Sequence, residues 1–210
     1  MIIVKILIMI SAYLLGAVPF GFLFGKMKGI DIREHGSKNI GTTNTGRVLG
    51  KRYAIYTYIL DMFKGFIFVF LFRFNIISSD YMVLSPALYG LLAVLGHTFP
   101  IYLNFKGGKA VATSSGFLLG YCPWLFLIVM VLFFVVLLTT KYVSLGSLLG
   151  AGTAVVIAII LAIVGYDSVF NKEVDVFFAI FLCCAGFIIF IRHKSNIKRL
   201  KDKQELKVKL

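Results

Sequence analysis

Acidic side chains are scarce in this chain of 210 residues, where nine Asp and Glu stand against 22 Lys and Arg. Among the basic loops ahead of the C-terminal tail, only Asp31 and Glu34 are acidic. That shortage leaves no carboxylate cluster of the kind that holds a hard divalent cation. Cysteine is sparse too: Cys122 and the adjacent Cys183–Cys184 form neither a CxxC nor a Cys/His ligand spacing. In apolar surroundings they read as small packing residues, which argues against a metal site or a redox role. GxxxxGK[ST] is absent, so a nucleotide P-loop is a poor guess. Nothing in the residue order recommends a Ser-His-Asp or Cys-His nucleophile. The expectation is therefore no metal and no cofactor.

Apolar residues are what the chain has in excess. They make up 60% of it, with 15% aromatic, and the mean hydropathy is +0.94. An average soluble domain is roughly 45–50% apolar and cannot hide that much surface. Apolar segments run over 2–25, 53–73, 81–102, 110–122, 124–140, 145–165 and 175–191. The first lacks a small-residue cleavage site and is followed by further apolar segments, so it reads as a retained helix. The predicted fold is an all-α integral membrane protein, a seven-helix bundle forming one polytopic domain over 1–210. The segment 110–122 is short for a full span and is the candidate for a re-entrant one.

Charge orients the bundle. Segments 26–52, 103–109, 141–144 and 192–210 hold 7, 2, 1 and 8 Lys and Arg, 18 of the 22, while the connections 74–80 and 166–174 hold only Lys172. The positive-inside rule then puts the N-terminus outside and the C-terminus in the cytoplasm. The net charge of +13 is distributed for a membrane, not for nucleic acid. The basic tail 192–210 reads as a solvated face touching anionic headgroups.

Four polar clusters fall at these inner ends. "HGSKNIGTTNTGRVLGKR" (35–52) sets Ser37, Asn39 and Asn44 among glycines, followed by Arg47. Small residues let backbone N–H groups approach a ligand, and an arginine fork matches phosphate oxygens. "GHTFPIYLNFKGGKAVAT" (96–113) carries His97, Lys106, Gly107, Gly108 and Lys109. Its glycines allow a nest of inward N–H groups, and a helix starting near Ala110 would aim its positive end there. The whole reads as an anion cradle, most readily for phosphate. His97 by itself reads more readily as a satisfied structural residue at a helix end. "KYVSLGSLLGAG" (141–152) holds Ser144 and Ser147 with Gly146, Gly150 and Gly152, a pattern that close helix packing would also explain. "RHKSNIKRL" (192–200) sets His193 and Asn196 three apart, on one face of a helix. Asp61 and Lys64, also three apart, read as a structural pair inside the second segment.

Together, "GSKNIGTTN" with Arg47, "GHTFPIYLNFKGGKAVAT", "SLGS", "RHKSNIKRL" and "LDMFKG" resemble the bacterial acyl-phosphate:glycerol-3-phosphate acyltransferases of the PlsY type, in order and over nearly the whole chain. The resemblance implies a cytoplasmic active site in the bacterial inner membrane. There a fatty acyl group passes from acyl phosphate to the 1-hydroxyl of glycerol 3-phosphate, giving lysophosphatidic acid and phosphate. By resemblance, Ser37, Arg47, Lys106, His193 and Asn196 bind glycerol 3-phosphate and orient its hydroxyl. Gly107, Gly108 and Lys109 take the acyl-phosphate group, and Asn39, Asn44, His97, Ser144 and Ser147 fall at motif positions without a firm individual role. Transient contact with enzymes that make acyl phosphate or use lysophosphatidic acid belongs to the same expectation. One departure stands out: the family usually has GGKG where this chain has Ala110. An organic-phosphate transporter is the competing reading, against which the polar clusters stay at one side.

Overall fold

The computed structural model describes residues 1–167 and 172–208. They form two compact units, Met1–Tyr121 and Cys122–Leu210. Regular structure among the described residues is helical, save one two-residue antiparallel pairing.

The first unit holds α1 (Ile2–Ala17), α2 (Phe20–Met27), α3 (Thr42–Leu49), α4 (Lys51–Arg73), α5 (Pro86–Thr98) and α6 (Val111–Tyr121). The apolar segment 2–25 is not one helix: α1 and α2 meet at 47°. Pro19 causes the break, because it lacks an N–H and disfavours a helical residue before it. Val18 is accordingly extended, at φ −61° and ψ 117°. Helix α5 starts later than the segment 81–102, where the Ser85 side chain accepts from the Ala87 N–H and Pro86 fills the first turn. Such a start needs no N–H from the proline.

Helices α4 and α6 touch backbone to backbone. A methyl on Gly65 would overlap the Thr113 carbonyl oxygen, and one on Gly116 would overlap that of Met62. Small residues at such a seam give the van der Waals contact that joins helices in lipid. Near one end of this unit Ala12, Phe72 and Tyr89 form a core. A second cluster of Phe22, Ile32, Ile40 and Leu103, with Val48 and Leu49 against it, lies under the loop between α2 and α3. That loop is thus packed against an apolar floor.

The second unit holds α7 (Pro123–Thr140), α8 (Val143–Val164), strands β1 (Tyr166–Asp167) and β2 (Lys172–Glu173), α9 (Val176–Arg192) and α10 (Lys194–Lys201). Helix α8 meets α7 where a methyl on Gly146 would come 2.9 Å from the Phe133 ring and one on Gly150 would come 3.1 Å from Val129. Gly152, expected to pack likewise, faces open space. Residues 168–171 of the expected outer connection and 209–210 of the tail lie outside the described residues. Helix α10 leaves α9 at 55°.

Among the described residues, four stretches are long and apolar enough to cross a membrane: Lys51–Arg73, Pro86–Leu103, Pro123–Thr140 and Val143–Val164. Counting each bent pair as one span gives up to six. Helix α6, with 11 residues, rises only about 17 Å against a hydrocarbon core of about 30 Å. The short segment seen in the sequence is a short helix here.

Candidate active site

In the first unit the loop between α2 and α3 is organised by Asn44, 1% exposed. Its Nδ2 donates to the carbonyls of Ile32 at 2.8 Å, Asn39 at 2.8 Å and His35 at 3.2 Å. Its Oδ1 accepts from the Ser37 N–H at 2.7 Å. The amide is spent on the loop itself, a use the sequence pattern did not separate from substrate contact. Asn39 makes an Asx turn, accepting from the Gly41 N–H at 2.9 Å. Half-buried Ser37 and exposed Arg47 on α3 are held by this framework. Nearby, Arg33 donates to both Asp31 oxygens, and that hydrogen bonding lowers the Asp31 pKa to about 2.

The Gly-Lys loop follows α5. The expected nest does not form from its two glycine amides: Gly107 N–H donates to Thr98 O at 3.1 Å and Gly108 N–H to His97 O at 3.0 Å. Glycine is needed here for another reason. A methyl on Gly107 would overlap the His97 carbonyl oxygen, and one on Gly108 would overlap Nε2 of the buried His97 ring. Docked this way, the loop exposes Lys106, half-buries Lys109 and runs through Ala110 into the N-terminus of α6. Helix α6 therefore starts where the sequence placed it, with its positive end beside Lys109. Ala110 has φ +60°, a conformation glycine adopts freely and alanine at a cost.

In the second unit, Ser144 Oγ donates to Glu205 Oε1 at 2.8 Å, and Asn196 Nδ2 donates to the same oxygen at 2.6 Å. Arg199 Nε donates to Glu205 Oε2 at 2.7 Å. The structure therefore brings Ser144 and Asn196 together through a tail carboxylate that sequence reasoning missed. Its side chain is 5% exposed. Burial pushes the Glu205 pKa up, but hydrogen bonds from Asn196, Arg199 and Ser144 outweigh this and hold it below the ordinary range. Ser147 sits one turn on, with its hydroxyl donating to Val143 O at 2.9 Å. His193 lies at the bend between α9 and α10, its Nδ1 2.8 Å from Ile189 O. A carbonyl can only accept, so Nδ1 carries the hydrogen, and when the ring is neutral its lone pair is on Nε2. His193 caps the start of α10 and Asn196 lies in its first turn, three residues on.

Both units therefore hold polar side chains singled out in the sequence against backbone and carboxylate partners. A solved structure described as PlsY (YgiH), an integral membrane glycerol 3-phosphate acyltransferase in its glycerol 3-phosphate form, is similar with TM-score 0.86 and 32% identity, covering 98% of this chain and 96% of that one. The lysophosphatidic acid form matches with TM-score 0.83, covering 98% and 95%. Glycerol-3-phosphate acyltransferases from Streptococcus pneumoniae (strain Taiwan19F-14) and Bacillus cytotoxicus are 43% and 45% identical to it. Each match covers 96% of this chain, and 92% and 93% of those proteins respectively. The family model described as glycerol-3-phosphate acyltransferase matches residues 6–203. On these grounds the chain belongs to the glycerol-3-phosphate acyltransferase family.

Proposed function

We propose that this protein moves a fatty acyl group from acyl phosphate to the 1-hydroxyl of glycerol 3-phosphate. It does so at the cytoplasmic face of a bacterial inner membrane, in a seven-helix bundle with its N-terminus outside. The observation that carries this reading is family membership together with likeness to a structure whose description names glycerol 3-phosphate. Arg47 and Lys106 take the phosphate of glycerol 3-phosphate, with Ser37 as a neutral donor. Gly107, Gly108 and Lys109 shape the place of the acyl-phosphate group, beside the positive end of α6.

The hydroxyl oxygen forms a bond to the acyl carbon, and the carbon–oxygen bond to phosphate breaks. The hydroxyl proton leaves through His193 or through a substrate phosphate; for His193 the accepting atom is Nε2, a choice supported by the Nδ1 contact with Ile189 O. Asn196, fixed by Glu205, orients the hydroxyl. Acyl phosphate is already activated, so the protein supplies alignment and charge stabilisation, and no covalent acyl-enzyme is required. Leaving the acyl tail in lipid avoids an extraction cost of about 0.8 kcal/mol per CH₂.

Purified protein given acyl phosphate and glycerol 3-phosphate should release phosphate and form lysophosphatidic acid in equal amounts. Phosphate release without acylated product, or acylation from acyl-CoA alone, counts against the reading.

A further inference from the structure

Inside α4 the Asp61 and Lys64 side chains, 2% and 1% exposed, form an ion pair at 2.7 Å. Neither belongs to the reaction described above. Lys64 Nζ also donates to Val18 O at 2.9 Å, the carbonyl at the break between α1 and α2. The same Asp61 Oδ1 that meets Lys64 lies 3.7 Å from Nδ1 of His97 on α5. The other side of that ring closes on Gly108, whose added methyl would overlap Nε2. The His97 carbonyl accepts the Gly108 N–H, and Thr98 O next to it accepts that of Gly107. One carboxylate thus connects the α1–α2 break, α4 and α5 to the loop carrying Lys106 and Lys109. Tyr13 Oη, donating to Phe99 O at 2.7 Å, pins the same end of α5 to α1.

We propose that Asp61 is a positioning residue: it orients His97, and His97 seats Gly107 and Gly108, so that Lys109 and the start of α6 stand ready for the acyl-phosphate group. A pair serving only to neutralise two charges would have no use for the imidazole contact. Asp61 Oδ1 faces both partners, 2.7 Å from Lys64 Nζ and, through electrostatics beyond hydrogen-bond reach, 3.7 Å from the imidazole, which carries the constraint from the apolar helix interior to the loop. A buried ion pair is weak evidence of stabilisation in its own right, which leaves room for this second use. The proposal rests on the proposed function only for its effect on turnover. The seating of the loop is a separate observable.

The test uses hydrogen–deuterium exchange at the Gly107 and Gly108 amides of the full-length protein, without substrate. Asp61→Leu combined with Lys64→Gln removes the acceptor facing His97, keeps a donor for Val18 O and buries no unmatched charge. Exchange at these two amides should quicken about tenfold while α1 and α3 change less than about twofold. Asp61→Asn with Lys64→Gln restores an acceptor oxygen and should return exchange to near the native rate. His97→Asn, which keeps a donor toward Asp61 but removes the ring over Gly108, should also quicken exchange there. In turnover, the Leu/Gln variant should raise KM for acyl phosphate several-fold and KM for glycerol 3-phosphate by less, because Lys106 adjoins the same loop while Ser37 and Arg47 lie off it. Native exchange in the Leu/Gln variant, failure of Asn to rescue, or a rise spread evenly over the unit overturns the proposal. If the Leu/Gln variant does not fold, native exchange at Gly107 and Gly108 in His97→Asn overturns it alone. A wild-type protein inactive on acyl phosphate would sink the proposed function and leave the exchange result standing.

Discussion

Asn44 uses both ends of its amide on the α2–α3 loop, three carbonyls below and one N–H above. Asn44→Ala strands those buried groups at about 1–3 kcal/mol each when unpaired. A loss of roughly 3 kcal/mol in thermal unfolding is expected; a loss below 1 kcal/mol would mean water replaces the amide. Ala110 is 1% exposed and left-handed. Ala110→Gly removes about 1–2 kcal/mol of backbone strain. It also loses a buried methyl, about 0.8 kcal/mol, and adds chain entropy to the unfolded state. These offset, so Ala110→Gly should be neutral within about 1 kcal/mol. Ala110→Val, β-branched at positive φ, should cost more than about 2 kcal/mol. Arg47→Lys keeps charge but loses the planar fork, so KM for glycerol 3-phosphate should rise about tenfold with acyl-phosphate KM little changed. Native kinetics in that variant would return Arg47 to a headgroup contact. By residue type these loops read as sites for an anion. Residue type could not announce direction: no spacing rule says that Asn44 turns inward while Arg47, three residues on, turns out, or that the amides of Gly107 and Gly108 are taken by α5.

At the scale of elements, the C-terminal tail acts as a strap. Glu205 reaches back to Ser144 on α8 and to Asn196 and Arg199 on α10, and Val208 N–H donates to Lys141 O at 3.0 Å. Glu205→Gln keeps the shape and removes the charge, and hydrogen bonds to charged groups are worth about 1.5–3 kcal/mol. Loss of about 2 kcal/mol in unfolding of the second unit is expected, together with slower turnover as Asn196 loosens. Turnover and stability both unchanged would mean that the strap holds nothing. The sign of the pH effect follows from a folded-state pKa below the ordinary one. The strap is at full strength above the normal carboxylate range and weakens as pH falls through the lower, folded-state value. Tail exchange rates read across an acid titration check it. Sequence missed this element because Ser144 and Glu205 stand 61 residues apart, and a lone glutamate in a lysine-rich tail looks like a solvated charge. The break at Pro19 and the short α6 are more legible, the one from proline chemistry and the other from the length of an apolar run.

At the scale of the molecule, the orientation rests on charge counted along the chain. A single cysteine placed at Lys109 should resist membrane-impermeant labelling from outside intact cells and react after permeabilisation; labelling from outside would invert the topology. Among the described residues, most of the cations so counted remain in solvent. Lys26, Lys28, Lys38, Arg47, Lys51 and Lys106 are exposed in the first unit, as are Lys194, Lys198, Lys201 and Lys203 in the second. Few carboxylates neutralise them. Such a surface is a long-range attractor: it draws a small dianion out of bulk water before any hydrogen bond forms, and its reach shrinks from about 30 Å in dilute buffer to about 8 Å at physiological ionic strength. Added salt should therefore lower kcat/KM for glycerol 3-phosphate several-fold and leave kcat almost untouched. The scarcity of acid in this chain then sets how quickly it captures its substrate.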